Sequence, residues 1–249
     1  MAGTNENIRY EKDADGIVTV TLDMAGQSAN TMNAAYVPAM DWALAKLRAE
    51  EGLTGVIFAS AKKTFFAGAD LKHLFGAEMN AEESFAYVED LKRPYREIEK
   101  LPVPCVAAIN GAALGGGYEL CLACNRRVLV DDVRAVVGLP EVTLGLLPGA
   151  GGVVRLVALL GLERALAVLL EGKPNAPQKA LKLGLVDELV AAREDLIPAA
   201  KAWIRANPGA RQQPWDAKGF ACPGGDVNSP RLRPVIQMAP AMLMKRTRG

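Results

Sequence analysis

Histidine, cysteine and net charge are all scarce in this chain, and each shortage excludes a class of function. The 249 residues include a single histidine, His73, and four cysteines. A histidine-rich metal site is therefore excluded, and a Ser-His-Asp triad would have to use His73 in a chain without a G-x-S-x-G turn. The formal net charge of +1 gives no field that would draw the protein to nucleic acid or to an anionic membrane.

Targeting and membrane-spanning patterns are missing as well. The first residues, MAGTNENIRYEKD, contain no apolar stretch of the secretory type. The most apolar region, 153–170, is interrupted by Arg155, Glu163 and Arg164, which disfavours a membrane-spanning helix. Cys121 and Cys124 form a lone CxxC pair, for which two small buried side chains are favoured over a metal site. With no disulfide framework, the predicted compartment is the cytoplasm.

The first half of the chain alternates between strand and helix patterns. Residues 17–22, 55–59 and 103–109 have the short apolar runs of buried strands, and 33–50 and 80–100 have helical spacing. Asn80 is expected to begin the second helix through a capping box with Glu83. The order strand, helix, strand, helix, strand predicts a layered α/β core.

The second half is predicted to be mainly helical. Helices are expected at 118–124, 151–160, 163–170 and 176–183, with strands at 127–130 and 135–137. From Pro208 to Pro240 there are six prolines, which predicts an extended, linker-like segment and no packed helical unit. The predicted division is one domain over 1–200, followed by a helical remnant and a linker-like tail over 201–249.

Two glycine-rich segments are the strongest indication of a ligand site. The first is TFFAGADLK, which begins at Thr64 and contains Gly68 between two alanines. Small residues let a ligand approach the backbone closely. The second is INGAALGGGYE, which begins at Ile109 and ends at Glu119. Three glycines before a helix leave backbone N–H groups unobstructed at its positive end.

Together with a third segment, these motifs resemble those of the crotonase (enoyl-CoA hydratase/isomerase) superfamily. The matching segments, in chain order, are FFAGADL, INGAALGGGYEL and LPEVTLGLLPGAGG, and the resemblance covers about residues 8–200. It implies an α/β fold in which a crotonase-like spiral of repeated β-β-α turns is followed by a helical C-terminal region. It also implies an acyl-CoA thioester substrate, with coenzyme A as part of that substrate and no prosthetic group or metal.

The resemblance gives roles to individual residues. The backbone N–H groups of Ala69 and Gly116 match the family's oxyanion hole, and Glu119 and Glu141 match the two carboxylates of the hydratases. Gly149 matches a helix start that faces the reacting centre in relatives. The positions at which the family surrounds the adenine and pantetheine of coenzyme A are Ser28, Ala29, Ala67, Asp70, Leu71 and Lys72.

The chemistry of hydration explains why such residues are needed. Conjugation to a thioester lets the charge that develops during water addition reach the carbonyl oxygen, where two fixed N–H donors can stabilise it. Water must lose a proton while Cα gains one, which requires two carboxyl groups on the same side of the substrate. The hypothesis is that Glu119 activates the water and Glu141 delivers the proton to Cα, the two titrating as a coupled pair.

Several alternatives remain open from the sequence. A Δ3-Δ2-enoyl-CoA isomerase and a catalytically silent CoA-thioester-binding protein fit the same motifs. Lys72 is either a phosphate contact or a solvated charge, and His73 is favoured as a surface or CoA-edge residue over a base. The side chains considered as walls of the acyl pocket are Tyr87, Leu91, Tyr118 and Leu139.

The C-terminal segment bears on the protein's context. The stretch PWDAKGFACPGG and the residues MKRTRG resemble the linker of multifunctional β-oxidation proteins, in which a crotonase domain precedes a 3-hydroxyacyl-CoA dehydrogenase. Monofunctional relatives use C-terminal helices to cover the site and to form trimers, and no convincing copy of those helices is evident here. The expectation is therefore a hydratase of fatty-acid β-oxidation that forms the N-terminal part of such a protein.

Overall fold

A mixed sheet forms the centre of the protein. The computed structural model describes residues 4–70, 76 and 79–247, so that Leu71, Lys72 and His73 lie outside the described residues. Within that part, seven strands form one sheet in the order β1-β2-β3-β4-β5-β7-β9, and β6 and β8 form a small parallel pair. The strands are β1 Thr4–Asn5, β2 Ile8–Lys12, β3 Ile17–Leu22, β4 Gly55–Ser60, β5 Cys105–Ile109, β6 Ala113–Leu114, β7 Arg126–Val130, β8 Val137–Gly138 and β9 Glu188–Val190.

The sheet combines an antiparallel edge with a parallel body. β1, β2 and β3 pair antiparallel, whereas β3, β4, β5, β7 and β9 pair parallel to their neighbours. All of β5 and most of β4 are buried, as expected for parallel strands that are covered on both faces. These two strands end next to each other, so the loops that follow them leave the same edge of the sheet.

Helices surround the sheet. They are α1 Tyr36–Ala49, α2 Ala81–Glu99, α3 Gly116–Ala123, α4 Gly152–Leu160, α5 Leu162–Glu171, α6 Pro177–Leu183, α7 Leu196–Ala206 and α8 Leu232–Thr247. The predicted capping box is confirmed at the start of α2, where the Asn80 side chain accepts from the Glu83 N–H and the Glu83 carboxylate accepts from the Asn80 N–H, both at 2.9 Å. No helix of the described residues is long and apolar enough to cross a membrane.

Buried tyrosines connect the helices to the start of α3. The Tyr36 hydroxyl of α1 donates to the Tyr95 hydroxyl of α2 at 3.1 Å, and Tyr95 donates to the Gly116 carbonyl at 2.8 Å. Both tyrosine side chains are completely buried, and buried hydroxyls of this kind need partners. The hydrogen bonds therefore hold the glycine-rich start of α3 against the core.

The secondary structure differs most from the sequence-based prediction at α3 and α8. α3 begins at Gly116, two residues before the predicted start, because the glycines that precede Tyr118 form its first turn. The extended segment predicted through Pro240 is wrong from Leu232 onward, where α8 begins. Pro234 falls in the first turn of α8, where a missing N–H breaks no intrahelical bond, although Pro240 does lie in the helix interior. Residues 207–231 are irregular apart from a 3-10 turn at Pro214–Asp216.

Cys121 and Cys124 confirm the prediction of two small buried side chains. Both are completely buried, Cys121 in the last turn of α3 and Cys124 directly after it, and each thiol contacts the carbonyl four residues earlier in the chain. Burial raises the pKa of the Cys121 thiol well above its ordinary value. The pair therefore forms part of the hydrophobic core.

Candidate active site

The two glycine-rich segments lie against each other at the edge of the sheet where β4 and β5 end. The Leu114 N–H donates to the Phe66 carbonyl at 3.1 Å, and Phe66 forms a parallel bridge with Ala113. Gly68 has a φ of +94°, and a Cβ built on it would lie 3.0 Å from the Leu114 carbonyl oxygen. A residue with a side chain would be strained at this position and would push the two segments apart.

Ala69 and Gly116, one residue from each of these segments, border the same cavity. Gly116 is the first residue of α3, so its N–H has no partner within the helix. Ala69 lies in the other segment, and its N–H belongs to the peptide unit whose carbonyl, that of Gly68, accepts from the Met32 N–H at 2.9 Å. Both residues border one cavity of about 330 Å³. The structure thus brings to one cavity the two residues whose N–H groups match the family's oxyanion hole.

Glu119 is buried in α3, and its carboxylate points at the turn formed by residues 149–152, at the start of α4. Its Oε1 accepts hydrogen bonds from the Ala150 N–H at 2.8 Å and from the Gly152 N–H at 2.7 Å. Burial, with a smaller contribution from the neighbouring Glu141, raises the pKa of Glu119 to about 7, although the two N–H donors oppose the rise. Glu119 is therefore a carboxyl group that exchanges its proton near neutral pH.

Glu141 reaches the same cavity from a different element. It begins the 3-10 turn Glu141–Leu144, directly after Pro140, and is partly buried. Burial raises its pKa as well. Its Oε2 is buried and has no hydrogen-bond partner among the described residues. A carboxyl oxygen in this state can donate a proton to a ligand in the cavity or accept one from it.

Gly115 makes room for Glu141. Its φ of +53° is unfavourable for residues with a side chain, and a Cβ built on it would lie 2.8 Å from Glu141 Oε1. Gly152 has a similar function next to the other acid, because its built Cβ would lie 2.9 Å from Glu119 Oε1. The glycines therefore leave space for the carboxyl groups as well as for a ligand.

Apolar side chains form the remaining walls of the cavity. A volume of about 330 Å³ lies at the lower end of the range for small-molecule sites, about 300–1,000 Å³. Of the four walls considered from the sequence, Tyr87 and Leu91 border the cavity, whereas Tyr118 and Leu139 do not. Tyr118 points away and donates its hydroxyl hydrogen to the Leu185 carbonyl at 2.7 Å. The walls that the sequence did not indicate are Met32, Val88, Leu144, Leu146 and Leu147.

Only some of the residues predicted to surround coenzyme A border the cavity. Ala67 and Gly149 border the cavity. Ser28 is exposed and Ala29 partly buried in a neighbouring segment, which is joined to the cavity rim by the hydrogen bond from the Ala67 N–H to the Asn30 carbonyl at 2.9 Å. Asp70 is partly buried and does not border the cavity. Leu71 and Lys72 lie outside the described residues.

Sequence reasoning missed the residues that hold Glu119. Its partners are the N–H groups of Ala150 and Gly152, whereas the family resemblance indicates Gly149 as the helix start that faces the reacting centre. The helix begins three residues later, at Gly152. The run GAGG at 149–152 was the available indication, since small residues before a helix leave several N–H groups free.

The assembled site can stabilise an oxygen anion and move a proton. Ala69 and Gly116, two carboxyl groups with raised pKa values and several apolar side chains border one cavity. The combination suits reactions in which a carbonyl compound passes through an enolate. Among the described residues, no cluster of histidine, cysteine, aspartate and glutamate is arranged to hold a metal ion.

Comparison with known proteins identifies the family. The sequence profile described as enoyl-CoA hydratase/isomerase matches residues 12–212, and the chain therefore belongs to this family. A solved enoyl-CoA hydratase from Bacillus anthracis is 35% identical over 80% of this chain and 76% of its own, with a TM-score of 0.72. A second, from Geobacillus kaustophilus HTA426, is 28% identical over 84% of this chain and 76% of its own, with a TM-score of 0.76. The fold is thus the crotonase fold that the sequence predicts.

Proposed function

We propose that the protein is an enoyl-CoA hydratase that adds water to a trans-2-enoyl-CoA and forms a 3-hydroxyacyl-CoA. The observation that carries the proposal is the presence of two carboxyl groups, Glu119 and Glu141, from separate elements in one cavity. The family match and the two solved hydratases support it, since the relatives are described by the same activity.

The thioester oxygen is proposed to bind between the N–H groups of Ala69 and Gly116. As the enolate forms, negative charge moves onto this oxygen, and fixed backbone donors stabilise it without having to reorient. Losing one such donor typically raises the barrier by about 3–4 kcal/mol. Gly68 and Gly115 support this role, because both adopt positive φ next to the two donors.

Glu119 and Glu141 are proposed to exchange protons with the substrate. Ionised Glu119 takes a proton from water while the water oxygen bonds to Cβ, and protonated Glu141 gives its proton to Cα. One proton then passes back between the two carboxyl groups before the next turnover. Because Glu141 raises the pKa of Glu119, the two groups titrate as a pair, and a pair that shares one proton near pH 7 supplies one acid and one base.

The proposal also covers the wider context of the reaction. Coenzyme A enters as part of the substrate, and no step requires a prosthetic group or a metal. We expect Ser28, Ala29, Ala67, Asp70, Leu71, Lys72 and Gly149 to contact the coenzyme A portion. We also propose that the protein acts in fatty-acid β-oxidation in the cytoplasm. It would form part of a longer protein that also carries a 3-hydroxyacyl-CoA dehydrogenase.

The test is a spectrophotometric assay of enoyl-thioester absorbance with crotonyl-CoA and a longer 2-enoyl-CoA. We expect Glu119→Gln and Glu141→Gln each to lower kcat by about a hundredfold or more, the contribution typical of a general acid or base. Glu171→Gln, at the exposed end of α5, is the matched control and should leave kcat unchanged.

Two other outcomes would redirect the proposal. Conversion of 3-enoyl-CoA to 2-enoyl-CoA without hydration would identify an isomerase, for which a single carboxyl group suffices. Binding of coenzyme A thioesters without turnover of either substrate would identify a binding protein. Either result from the wild-type chain would refute the hydratase assignment.

A further inference from the structure

A buried arginine holds the turn that supplies the hydrogen bonds to Glu119. Arg155 lies in the first turns of α4, and its side chain is 9% exposed. Its Nη1 donates to the Ala150 carbonyl oxygen at 2.6 Å. Ala150 is also the residue whose N–H donates to Glu119 Oε1 at 2.8 Å. One residue of the turn is therefore fixed on both sides, by Arg155 through its carbonyl and by Glu119 through its N–H.

Arg155 is itself held by an ion pair that continues to the surface. Its Nε donates to Glu99 Oε1 at 2.6 Å, and the Glu99 side chain, at the end of α2, is 2% exposed. Glu99 Oε2 accepts from Arg96 at 2.8 Å, and Arg96 pairs through both terminal nitrogens with Asp216, also at 2.8 Å. The chain of contacts thus runs from the 3-10 turn Pro214–Asp216, through Arg96, Glu99 and Arg155, to the Ala150 carbonyl.

The turn, residues 149–152, is made mostly of glycine. Three of its four residues, Gly149, Gly151 and Gly152, have no side chain, and glycine has the largest backbone freedom to lose on ordering. Gly151 has a φ of +96°, and a Cβ built on it would lie 2.4 Å from Arg155 Nη1. The guanidinium therefore occupies the space that a side chain of the turn would otherwise fill.

We propose that Arg155, held in place by Glu99, is a positioning residue that fixes the turn 149–152 so that the N–H groups of Ala150 and Gly152 meet Glu119. The guanidinium suits this task because its planar array of donors can bind a carboxylate and a carbonyl at the same time in fixed directions. A lysine at the same position would keep the charge but present a single flexible ammonium group.

Arg155 can influence Glu119 in two ways, by holding the turn in position or through its own positive charge, and the charges around Glu119 allow the two to be separated. Burial is the main cause that raises the pKa of Glu119, and the charge of Glu141, from the 3-10 turn, raises it further. Arg155, from α4, lowers it, and the hydroxyls of Tyr36 in α1 and Tyr95 in α2 lie close enough to interact with it. A variant that loosens the turn weakens the N–H donors and moves the titration of Glu119 upward.

Glu99→Gln should shift the titration of Glu119 in opposite directions, depending on whether Arg155 acts through its charge or by holding the turn. If Arg155 acted only through its charge, removing the neighbouring anion would strengthen that charge and move the titration of Glu119 downward. If Glu99 instead holds Arg155 in position, the turn loosens and the titration moves upward. Arg155→Lys separates the effects in a second way, because it keeps the charge and loses the planar donors.

The experiment is a pH titration of the Glu119 carboxyl by ¹³C NMR, with its resonance assigned by its disappearance in Glu119→Gln. We expect Arg155→Gln to move the midpoint upward by about one pH unit, at the lower end of the range for a nearby opposite charge. Arg155→Lys and Glu99→Gln should move it in the same direction. Arg93→Gln is the control, since it removes another arginine charge from α2 whose ion pairs are with Asp41 and Asp90.

Three results would overturn the proposal: an unchanged midpoint in Arg155→Gln, a wild-type midpoint in Arg155→Lys, or a downward movement in Glu99→Gln. If Arg155→Gln does not fold, the two conservative variants still decide the question. On the proposed function, Arg155→Lys should lower kcat by about tenfold or more, as expected when a reacting group is misplaced. The NMR titration needs no turnover, so it remains decisive even if the wild-type protein does not hydrate any substrate.

Discussion

Replacing Glu119 by glutamine is expected to stabilise the protein, and the gain should depend on pH. Glutamine has the shape of the protonated acid, and its amide oxygen can still accept from the Ala150 and Gly152 N–H groups at 2.8 and 2.7 Å. It removes only the ability to become charged in a buried site. The variant therefore measures the free energy of placing a negative charge on Glu119.

The magnitude follows from the pKa. Burial, as the main cause, raises the pKa of Glu119 from its ordinary value of 4.5 to about 7 in the folded protein. A difference of about 2.5 pH units corresponds to about 3 kcal/mol, at roughly 1.4 kcal/mol per unit. Because the folded protein holds the proton more tightly than the unfolded chain, this stability is fully present below about pH 4.5 and is lost as the pH rises to about 7.

Urea unfolding of wild type and Glu119→Gln between about pH 4 and pH 8 tests this reasoning. We expect similar free energies of unfolding near pH 4 and a variant that is more stable by about 3 kcal/mol at pH 8. Glu171→Gln, which removes one exposed carboxylate, should show no such dependence. A variant that is less stable than wild type at pH 8, or a difference that is constant with pH, would refute the assignment of a desolvated carboxyl.

Two further substitutions test the packing around the site. Gly117→Ala should lower the free energy of unfolding by about 1–3 kcal/mol in urea, because its Cβ would lie 2.5 Å from Phe66 Cβ and 2.6 Å from the Phe66 carbonyl oxygen. Gly209→Ala, with open space around it, is the control, and equal stability of the two variants would contradict the contact. Asn80→Ala should lower the stability by about 1 kcal/mol through loss of the cap of α2, and an unchanged urea midpoint would mean that the capping box adds nothing.

Much of the fold was accessible from the sequence because local patterns and tertiary packing agree. The strand Ile17–Leu22 is observed with its predicted limits, and α1 and α2 differ from prediction by a few residues at their ends. α8 was missed because Pro234 and Pro240 are strong local indicators against a helix. Leu232, which is 1% exposed, shows that tertiary contacts anchor its start, and such contacts cannot be derived from a local pattern.

The candidate site was predictable to the extent that it depends on backbone and motif. The sequence indicated both glycine-rich segments and both glutamates, and the structure brings these residues to one cavity. The partners of Glu119 were not predictable, because Ala150 donates through its backbone and its side chain carries no chemical indication. In the sequence, Arg155 is notable only as a charge that interrupts an apolar stretch. Its role could not be predicted, because its contact with Glu99 joins residues far apart in the sequence.

Gly115 affects how related sequences should be judged. A methyl group at this position would overlap Glu141 Oε1 at 2.8 Å, in a backbone conformation of φ +53° that favours glycine. A homologue could therefore keep both glutamates and still lose the space in which they act. When genomes are searched for working copies of this site, glycine at the position of Gly115 is a stricter criterion than the acids themselves, because an acid can be retained after its surroundings have closed.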